Sequence, residues 1–436
     1  MNKSIAFIYL PHPWLKEPDA QLPLGILYLA AVTRNAGYET TVLNYSGSGF
    51  EDALLELQGL NEFDFYAITA TSLEIPMAND FGKAIKAMFP NCKLLIGGPG
   101  TCTPEYIDRC FDLVYIGEAE NEIVEFLEYY SNPLQSSKIV HSNSVGPQDL
   151  DKLPLPARDF VTGSLGGKIF AFGKEYVGSG STTIISSRGC PFACSFCASQ
   201  HSSVRFRDPT FVVDEMKFLY LQYGIRQFRF SDDAFTLNRE RVMSICRLLR
   251  HSFKDGDIAW RVSCRVKPID HEMVSAMVQA GCKEFSFGIE SFDQNVLDCL
   301  CKGTTVKDNI QALKVVNDCG GNSRLLFMIR TPGQDLFTVD RNIEILEKVP
   351  YEIIACTTFV PLPGSAIWEQ PDKFGIRILS RDLSEYNFYF FNKDGRQQLK
   401  KLFEYTNRSK NWSDHIDAES ERFRTYLEGT GKLNKG

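Results

Sequence analysis

The chain is short of several things, and each shortage removes a class of protein. No run of 18 apolar residues occurs in its 436 residues, so no membrane-spanning helix is expected. Positive charge is in deficit: 47 Lys and Arg stand against 54 Asp and Glu, for a net charge of −7. That balance argues against broad electrostatic binding to nucleic acid. The start, Met1-Asn2-Lys3-Ser4 running into Ile5–Leu10, is too short and too soon polar for a signal peptide. With 44% hydrophobic and 23% charged residues the composition is globular, and the length suits two or three domains. Cysteine alone is plentiful, at thirteen, an odd number. Without an export signal, metal ligation and buried thiols are better readings than disulfides, and the expected compartment is the reducing cytoplasm.

Three of those cysteines stand close together in Ser186-Ser187-Arg188-Gly189-Cys190-Pro191-Phe192-Ala193-Cys194-Ser195-Phe196-Cys197. The spacing lets three thiolates converge from a single loop. Thiolates are soft ligands and suit zinc or an iron–sulfur cluster. A closed zinc site wants four protein ligands, and no Cys or His lies at finger-like spacing to complete one; His201 is the nearest candidate. A [4Fe–4S] cluster held by Cys190, Cys194 and Cys197 leaves one iron open to a small molecule. At these residues the sequence resembles the radical S-adenosylmethionine (SAM) superfamily, whose hallmark is CxxxCxxC with an aromatic before the third Cys, here Phe196. The resemblance implies that the open iron chelates SAM. It also implies that one electron, delivered by a flavodoxin- or ferredoxin-type donor, cleaves SAM to methionine and a 5′-deoxyadenosyl radical.

Before this loop, strand-like and helix-like segments alternate. Strands are expected at Ser4–Tyr9, Thr40–Leu43, Phe65–Ala70, Lys93–Ile96 and Leu113–Ile116. Helices are expected at Leu24–Asn35, Glu51–Leu57, Pro76–Met88, Pro104–Cys110 and Asn121–Tyr130. Such alternation means a parallel sheet covered on both faces, and five strands suit a flavodoxin-like order with ligand at the carboxyl ends of the strands. The loops there are Pro11–Leu24, Thr71-Ser72-Leu73, Gly97–Thr103 and Gly117-Glu118-Ala119-Glu120. Their glycines either admit a large ligand to the backbone or simply turn the chain. Pro23-Leu24-Gly25, Gly97-Gly98-Pro99 and Gly117-Glu118-Ala119-Glu120, in this order, resemble the cobalamin-binding domain fused to many radical SAM enzymes. The resemblance makes Gly25, Ser72, Gly97, Gly98, Pro99, Gly117 and Glu118 candidate cobalamin contacts. The sequence departs from that pattern in having Gly100, which leaves space where the family commonly has His, and in lacking the Asp-x-His-x-x-Gly lower-ligand motif.

A second alternating run carries the cysteine loop after its first strand, Thr182–Ser187. Six strand–helix units ending at Ile353–Val360 fit a partial (β/α) barrel with its active site at the strand C-termini. Domains are expected at 1–135 (cobalamin-type α/β) and 181–380 (barrel), with 136–180 a linker and 381–436 a helical tail. An aromatic group, Tyr386–Phe391, reads as packing. Polar residues close successive barrel strands. By resemblance Asp232 or its neighbour engages the SAM amino group, Arg265 its carboxylate, Glu290 and Ser291 its ribose, with Phe196 beside the adenine. Cys299 and Cys301 are candidate catalytic thiols, as hydrogen donors, metal ligands or binders of a thiophilic substrate; otherwise they are small apolar residues on a helix. The resemblance implies a cobalamin-dependent methyltransferase acting on an unactivated carbon of a small, natural-product-type molecule. The alternatives are a radical cyclase, rearrangement or aminocarboxypropyl transfer without cobalamin, and a non-catalytic cobalamin or metal sensor.

Overall fold

The structure, a computed structural model, describes residues 3–12, 22–130, 138–141, 146–164, 180–199, 202–386, 395–406 and 412–433. The chain falls into two compact units, Met1–Ile169 and Phe170–Gly436.

In the first unit, short apolar runs buried on both faces form most of the strands, as a covered parallel sheet requires. The elements are β1 (Ser4–Tyr9), α1 (Leu24–Asn35), β2 (Glu39–Asn44), α2 (Phe50–Gln58), β3 (Phe65–Thr69), α3 (Ile75–Met88), β4 (Lys93–Gly97), β5 (Leu113–Ile116), α4 (Ile123–Tyr130) and β6 (Lys138–His141). All pairings are parallel, in the order β2-β1-β3-β4-β5-β6. The first five strands take the expected flavodoxin-like order. The sixth lies in the stretch read as linker, where four residues are too few to show a period. The order reverses between β1 and β3, the switch point where ligands of such sheets bind. One expected helix is missing: Pro104–Cys110 forms only a 3₁₀ turn, Pro104–Tyr106. Asn79 explains the loss. Its side chain donates to the Tyr106 carbonyl (2.8 Å) and accepts from the Asp108 N–H (2.9 Å), holding the backbone groups a helix would have used.

The second unit opens with β7 (Gly180–Ile184). The pair β8 (Ser187–Arg188) and β9 (Arg205–Phe206) runs antiparallel and closes the cysteine loop at its base. There follow α5 (Pro209–Tyr223), β10 (Ile225–Phe230), α6 (Arg239–Ser252), β11 (Ala259–Cys264), α7 (His271–Gln279), β12 (Cys282–Glu290), α8 (Gln294–Cys299), α9 (Val306–Asp318), β13 (Asn322–Ile329), α10 (Thr338–Leu346) and β14 (Ile353–Thr358). Six parallel strands in the order β14-β13-β12-β11-β10-β7 make the partial barrel sheet. Its helices start where the sequence supplies caps: Asp208, Asn238, Asp270 and Thr305 each accept a backbone N–H of the first turn.

Alternation gives this sheet two unlike faces. Phe228, Phe230, Trp260, Val262, Phe285, Phe287, Leu325 and Phe327 are buried on the face toward the helices. Trp260 fixes that assignment by donating its indole N–H to the Ala280 carbonyl behind α7 (2.7 Å). The other face carries Arg229, Arg261, Ser263, Glu284, Ser286, Gly288 and Arg324.

Beyond the barrel lie α11 (Ala366–Glu369), β15 (Ile376–Ile378), α12 (Gly395–Leu402), β16 (Phe403–Tyr405, antiparallel to β15) and α13 (Trp412–Gly429). The last helix is not a surface element. Ile416, Phe423 and Leu427 are fully buried, Phe423 lies 5.5 Å from the Phe327 ring, and the Lys432 carbonyl accepts the Ile354 N–H at 3.0 Å. Of the aromatic group at 386–391, Tyr386 is buried against Trp368 and the rest lie outside the described residues. Phe423→Ala is therefore expected to destabilise the second unit by about 3–5 kcal/mol in urea unfolding. A loss under about 1 kcal/mol would show α13 to be dispensable.

Candidate active site

The cysteine loop cannot hold its own path and is tied from outside. Gly189 has φ +94°, and a Cβ there would lie 2.2 Å from the Ser203 carbonyl oxygen, so only glycine fits. The Cys190 N–H donates to the Ser202 hydroxyl (2.7 Å), and the Ser202 N–H to the Cys190 carbonyl (3.0 Å). At the loop's centre the Ser195 N–H donates to the Leu300 carbonyl (2.9 Å), and the Ser195 carbonyl accepts from Ile367 (3.0 Å). Arg265 completes the frame. Its guanidinium lies 3.3 Å from Cys194 Sγ, bonds the Lys302 carbonyl and stacks 3.7 Å from the centre of the Phe192 ring.

The donor set fits an iron–sulfur cluster. Burial raises the pKa of Cys190 and Cys197, and each thiol feels the charge of Cys194 and Asp233, which places them in one neighbourhood. Among the described residues no three His, Cys, Asp or Glu side chains converge on a single point. A cluster gives each thiolate its own iron and needs no such convergence. His201, the candidate fourth ligand for zinc, lies outside the described residues.

Around the loop the sequence-derived candidates divide. Asp232 is buried, and its carboxylate is engaged internally: Oδ1 accepts from the Ser186 N–H (2.8 Å), Oδ2 from the hydroxyls of Ser186 (2.6 Å) and Ser187 (2.5 Å), with Arg241 at 3.4 Å. That network anchors the strand end leading into the loop. Its neighbour Asp233 reaches the surface beside Cys190 and Cys197; desolvation and the Asp232 charge both raise its pKa. Ser291 is also buried, donating to Asn342 Oδ1 (3.2 Å) and accepting from the Asp293 N–H (3.1 Å) within the turn after β12.

Glu290 is set differently. Its φ of +61° and a register shift after Gly288 swing the carboxylate back over Gly288, where it meets Lys302 Nζ at 2.7 Å. A Cβ on Gly288 would lie 2.6 Å from Glu290 Oε1 and 2.7 Å from Lys302 Nζ, so the missing side chain is the space the pair occupies. Lys302 also lies 5.8 Å from the centre of the Phe196 ring. Lys302, Arg241, Ser195 and Ser202 carry no signal in the sequence: the first directly follows Cys301 and Ser195 stands between Cys194 and Cys197, but no spacing rule selects them. Cys299 and Cys301 are both exposed, and their segment abuts the loop: the Ser195 hydroxyl lies 3.4 Å from the Cys299 carbonyl. Cys301 has φ +50° at the end of α8, with Lys302 N–H bonded to Leu297 O and Cys301 N–H to Asp298 O. This is the helix-ending motif that usually carries glycine there.

In the first unit the candidates line the carboxyl edge of the sheet. Gly97 and Gly98 are half-buried there and Pro99 is exposed, beside Ser72; Gly25, in the first turn of α1, has nothing within 4 Å of a built Cβ. Gly117 is exposed at φ +124°, and the Glu118 carbonyl accepts the Tyr115 hydroxyl at 3.2 Å. Gly25 thus leaves open space at this edge, whereas a Cβ on Gly98 would lie 2.6 Å from Thr69 Oγ1, so that glycine serves the packing of its own turn. Gly100, expected to leave space, leaves none: its Cβ position is 2.6 Å from the Thr71 carbonyl, and its N–H donates to Ala70 O (2.8 Å). Across the switch point, His12 Nδ1 beyond β1 meets Glu74 Oε1 beyond β3 at 2.9 Å, both buried. Burial would raise the Glu74 pKa, but His12 and the Thr71 bonds hold it below the usual carboxylate range.

Comparison with known proteins agrees with this arrangement. The family model for the radical SAM superfamily matches residues 184–346, and that for the B12 binding domain residues 20–127. The chain is 30% identical over 368 residues to an uncharacterised methyltransferase of Pyrococcus horikoshii, covering 80% of this chain and 78% of the relative. It is 24% identical over 416 residues to the anaerobic magnesium-protoporphyrin IX monomethyl ester cyclase of Cereibacter sphaeroides, covering 87% of this chain and 66% of the cyclase. The fold matches, with TM-score 0.72 and 15% identity, the radical S-adenosylmethionine methyltransferase TsrM of Kitasatospora setae, solved with cobalamin and a [4Fe-4S] cluster; the match covers 99% of this chain and 91% of that one.

Two glycines separate the parts of the site experimentally. Gly189→Ala is expected to abolish iron retention although every thiol remains, and wild-type iron content would show that the loop's path is not what gathers them. Gly288→Ala is expected to keep its iron but bind SAM about tenfold more weakly in equilibrium dialysis. Unchanged SAM affinity would remove the Glu290–Lys302 pair from the site.

Proposed function

The chain belongs to the radical SAM superfamily and carries a B12-binding domain, and from that membership we propose a methyltransferase that alkylates an unactivated carbon of a small molecule. The observation that carries the proposal is the pairing, in one chain, of an externally braced three-thiol loop with a separate parallel sheet whose carboxyl edge is turned by glycine-rich loops. The cofactors are a [4Fe–4S] cluster, SAM and cobalamin. When bound, the cluster supplies the electron that cleaves SAM, and the corrin supplies a methyl group able to leave homolytically.

The chain's own residues then have distinct tasks. Cys190, Cys194 and Cys197 hold the cluster, and Arg265 fixes Cys194 through its N–H···S contact while lending positive charge to the thiolate. The remaining guanidinium donors of Arg265 suit a carboxylate, the role assigned to it for SAM. Asp233, rather than the internally engaged Asp232, is the carboxylate available to an ammonium group. Glu290 is the acceptor for a ribose diol, with Lys302 holding it in place. Phe196 offers an apolar surface beside the pair. Cys299 and Cys301 are exposed on the segment that braces the loop, which suits a thiol acting near the reacting carbon.

A low-potential flavodoxin or ferredoxin is the fitting electron donor. None of the described cysteines is joined in a disulfide, which suits a reducing cytoplasm. No described helix is long and apolar enough to cross a membrane. After anaerobic reconstitution with iron, sulfide and hydroxocobalamin and then desalting, the protein is expected to retain near-stoichiometric cobalt. On reduction with SAM it should release S-adenosylhomocysteine in amounts tracking that cobalt. Protein that keeps iron and forms 5′-deoxyadenosine, yet holds no cobalt and releases no S-adenosylhomocysteine, would overturn methyl transfer in favour of a cobalamin-free radical reaction.

A further inference from the structure

The inner face of the barrel sheet carries more positive charge than its own residues neutralise. Arg229 on β10 stands opposite Arg261 on β11, and Arg261 opposite Glu284 on β12. Arg324 on β13 stands opposite Ser286, the next residue of β12 on the same face. Period-two alternation places all of them on the face that leads to Arg265 and Glu290. Arg261 Nη1 lies 3.4 Å from Glu284 Oε1, which also accepts the Ser286 hydroxyl at 3.1 Å. Among the described residues, neither Arg229 nor Arg324 has an ion-pair or hydrogen-bond partner of its side chain.

Among the described residues, the carboxylate beside these guanidinium groups is that of Glu284, in surroundings only partly open to water. Burial lowers the pKa of Arg229, and the nearby Arg324 lowers it further; Arg261 is pushed down to about 10, chiefly by burial against the opposing pull of Glu284. Arginine stays protonated at neutral pH even so. The cost falls on the folded state as repulsion between like charges, which a bound anion relieves.

We infer that this face seats an oxyanion group of the substrate, a carboxylate or a phosphate, between Arg229, Arg261 and Arg324. The inference rests on the reading of this chain as an enzyme acting on a small molecule. The planar guanidinium forks match both oxyanions bidentately. Glu284 and Ser286 orient Arg261 and leave the other two forks for the ligand. Arg261 lies four residues before Arg265 on the same strand line, about 13 Å at 3.3 Å per residue. The substrate is thus an elongated anion whose charged end is anchored deep on the sheet and whose reacting carbon is held near the cluster loop. A neutral molecule of the same shape would leave the two unpaired guanidinium charges uncompensated and be rejected.

The test is a thermal-shift titration of the reconstituted full chain with methylphosphonate and with acetate, against chloride at equal ionic strength. The expected result is a saturable rise in melting temperature with at least one of the two. The apparent affinity should fall by about tenfold in Arg229→Gln and in Arg324→Gln, fall less in Arg324→Lys, and rise in Glu284→Gln. Response to methylphosphonate alone assigns a phosphate-type substrate, and to acetate alone a carboxylate. Iron content and the melting temperature without anion report whether each variant folds. No specific shift with either anion, or shifts unaltered in folded Gln variants, would overturn the inference. Wild-type protein that binds the anions but never cleaves SAM would overturn the functional reading and leave the anion site standing.

Discussion

Three thiolates cannot be gathered on one short loop without holding that loop from outside, and the rest of the second unit is arranged to do so. The base is closed by the β8–β9 pair, the entry is forced through the left-handed Gly189, and the centre is pinned at Ser195 by backbone groups of Leu300 and Ile367. Arg265 then ties Cys194 to the Lys302 carbonyl. A loop fixed by backbone bonds from two other segments has less freedom to lose on binding a metal, which is the advantage of a prepared site.

The same bracing brings chemistry to the loop's edge. The segment Cys299–Lys302 that receives Ser195 also delivers Lys302 to Glu290, and Glu290 reaches it through a left-handed backbone over a glycine. Left-handed conformations at Glu290, Cys301 and Arg330, none of them glycine, all fall at or just past strand or helix ends at the carboxyl side of the sheet. Such conformations cost about 1–3 kcal/mol each and persist where surrounding contacts over-determine them, as at functional sites. The opposite, helix-facing side of the sheet is predominantly apolar, so the stability needed to hold this strain comes from burial there.

Much of this was legible in the sequence because its signals are local. CxxxCxxC is contiguous, helix caps such as Asp208 and Thr305 directly precede their helices, and apolar runs mark buried strands. What the sequence concealed depends on distant residues. Asp232 looks like a ligand until Ser186 and Ser187, some 45 residues away, are seen to engage it. Gly100 looks like open space until Thr71 is found against it. Helix α13 looks like a polar tail because only a narrow stripe, Ile416, Phe423 and Leu427, packs inward. Helix Pro104–Cys110 failed for the same reason: its competitor, Asn79, lies on another element.

The central claim is that three cysteines leave one iron of a four-iron cluster open to SAM. Mössbauer spectroscopy of ⁵⁷Fe-reconstituted protein tests it most directly, recorded with and without SAM. Adding SAM is expected to shift the spectrum of a single iron subsite toward higher coordination and leave the other subsites unchanged. A spectrum in which all irons stay equivalent and indifferent to SAM would contradict it.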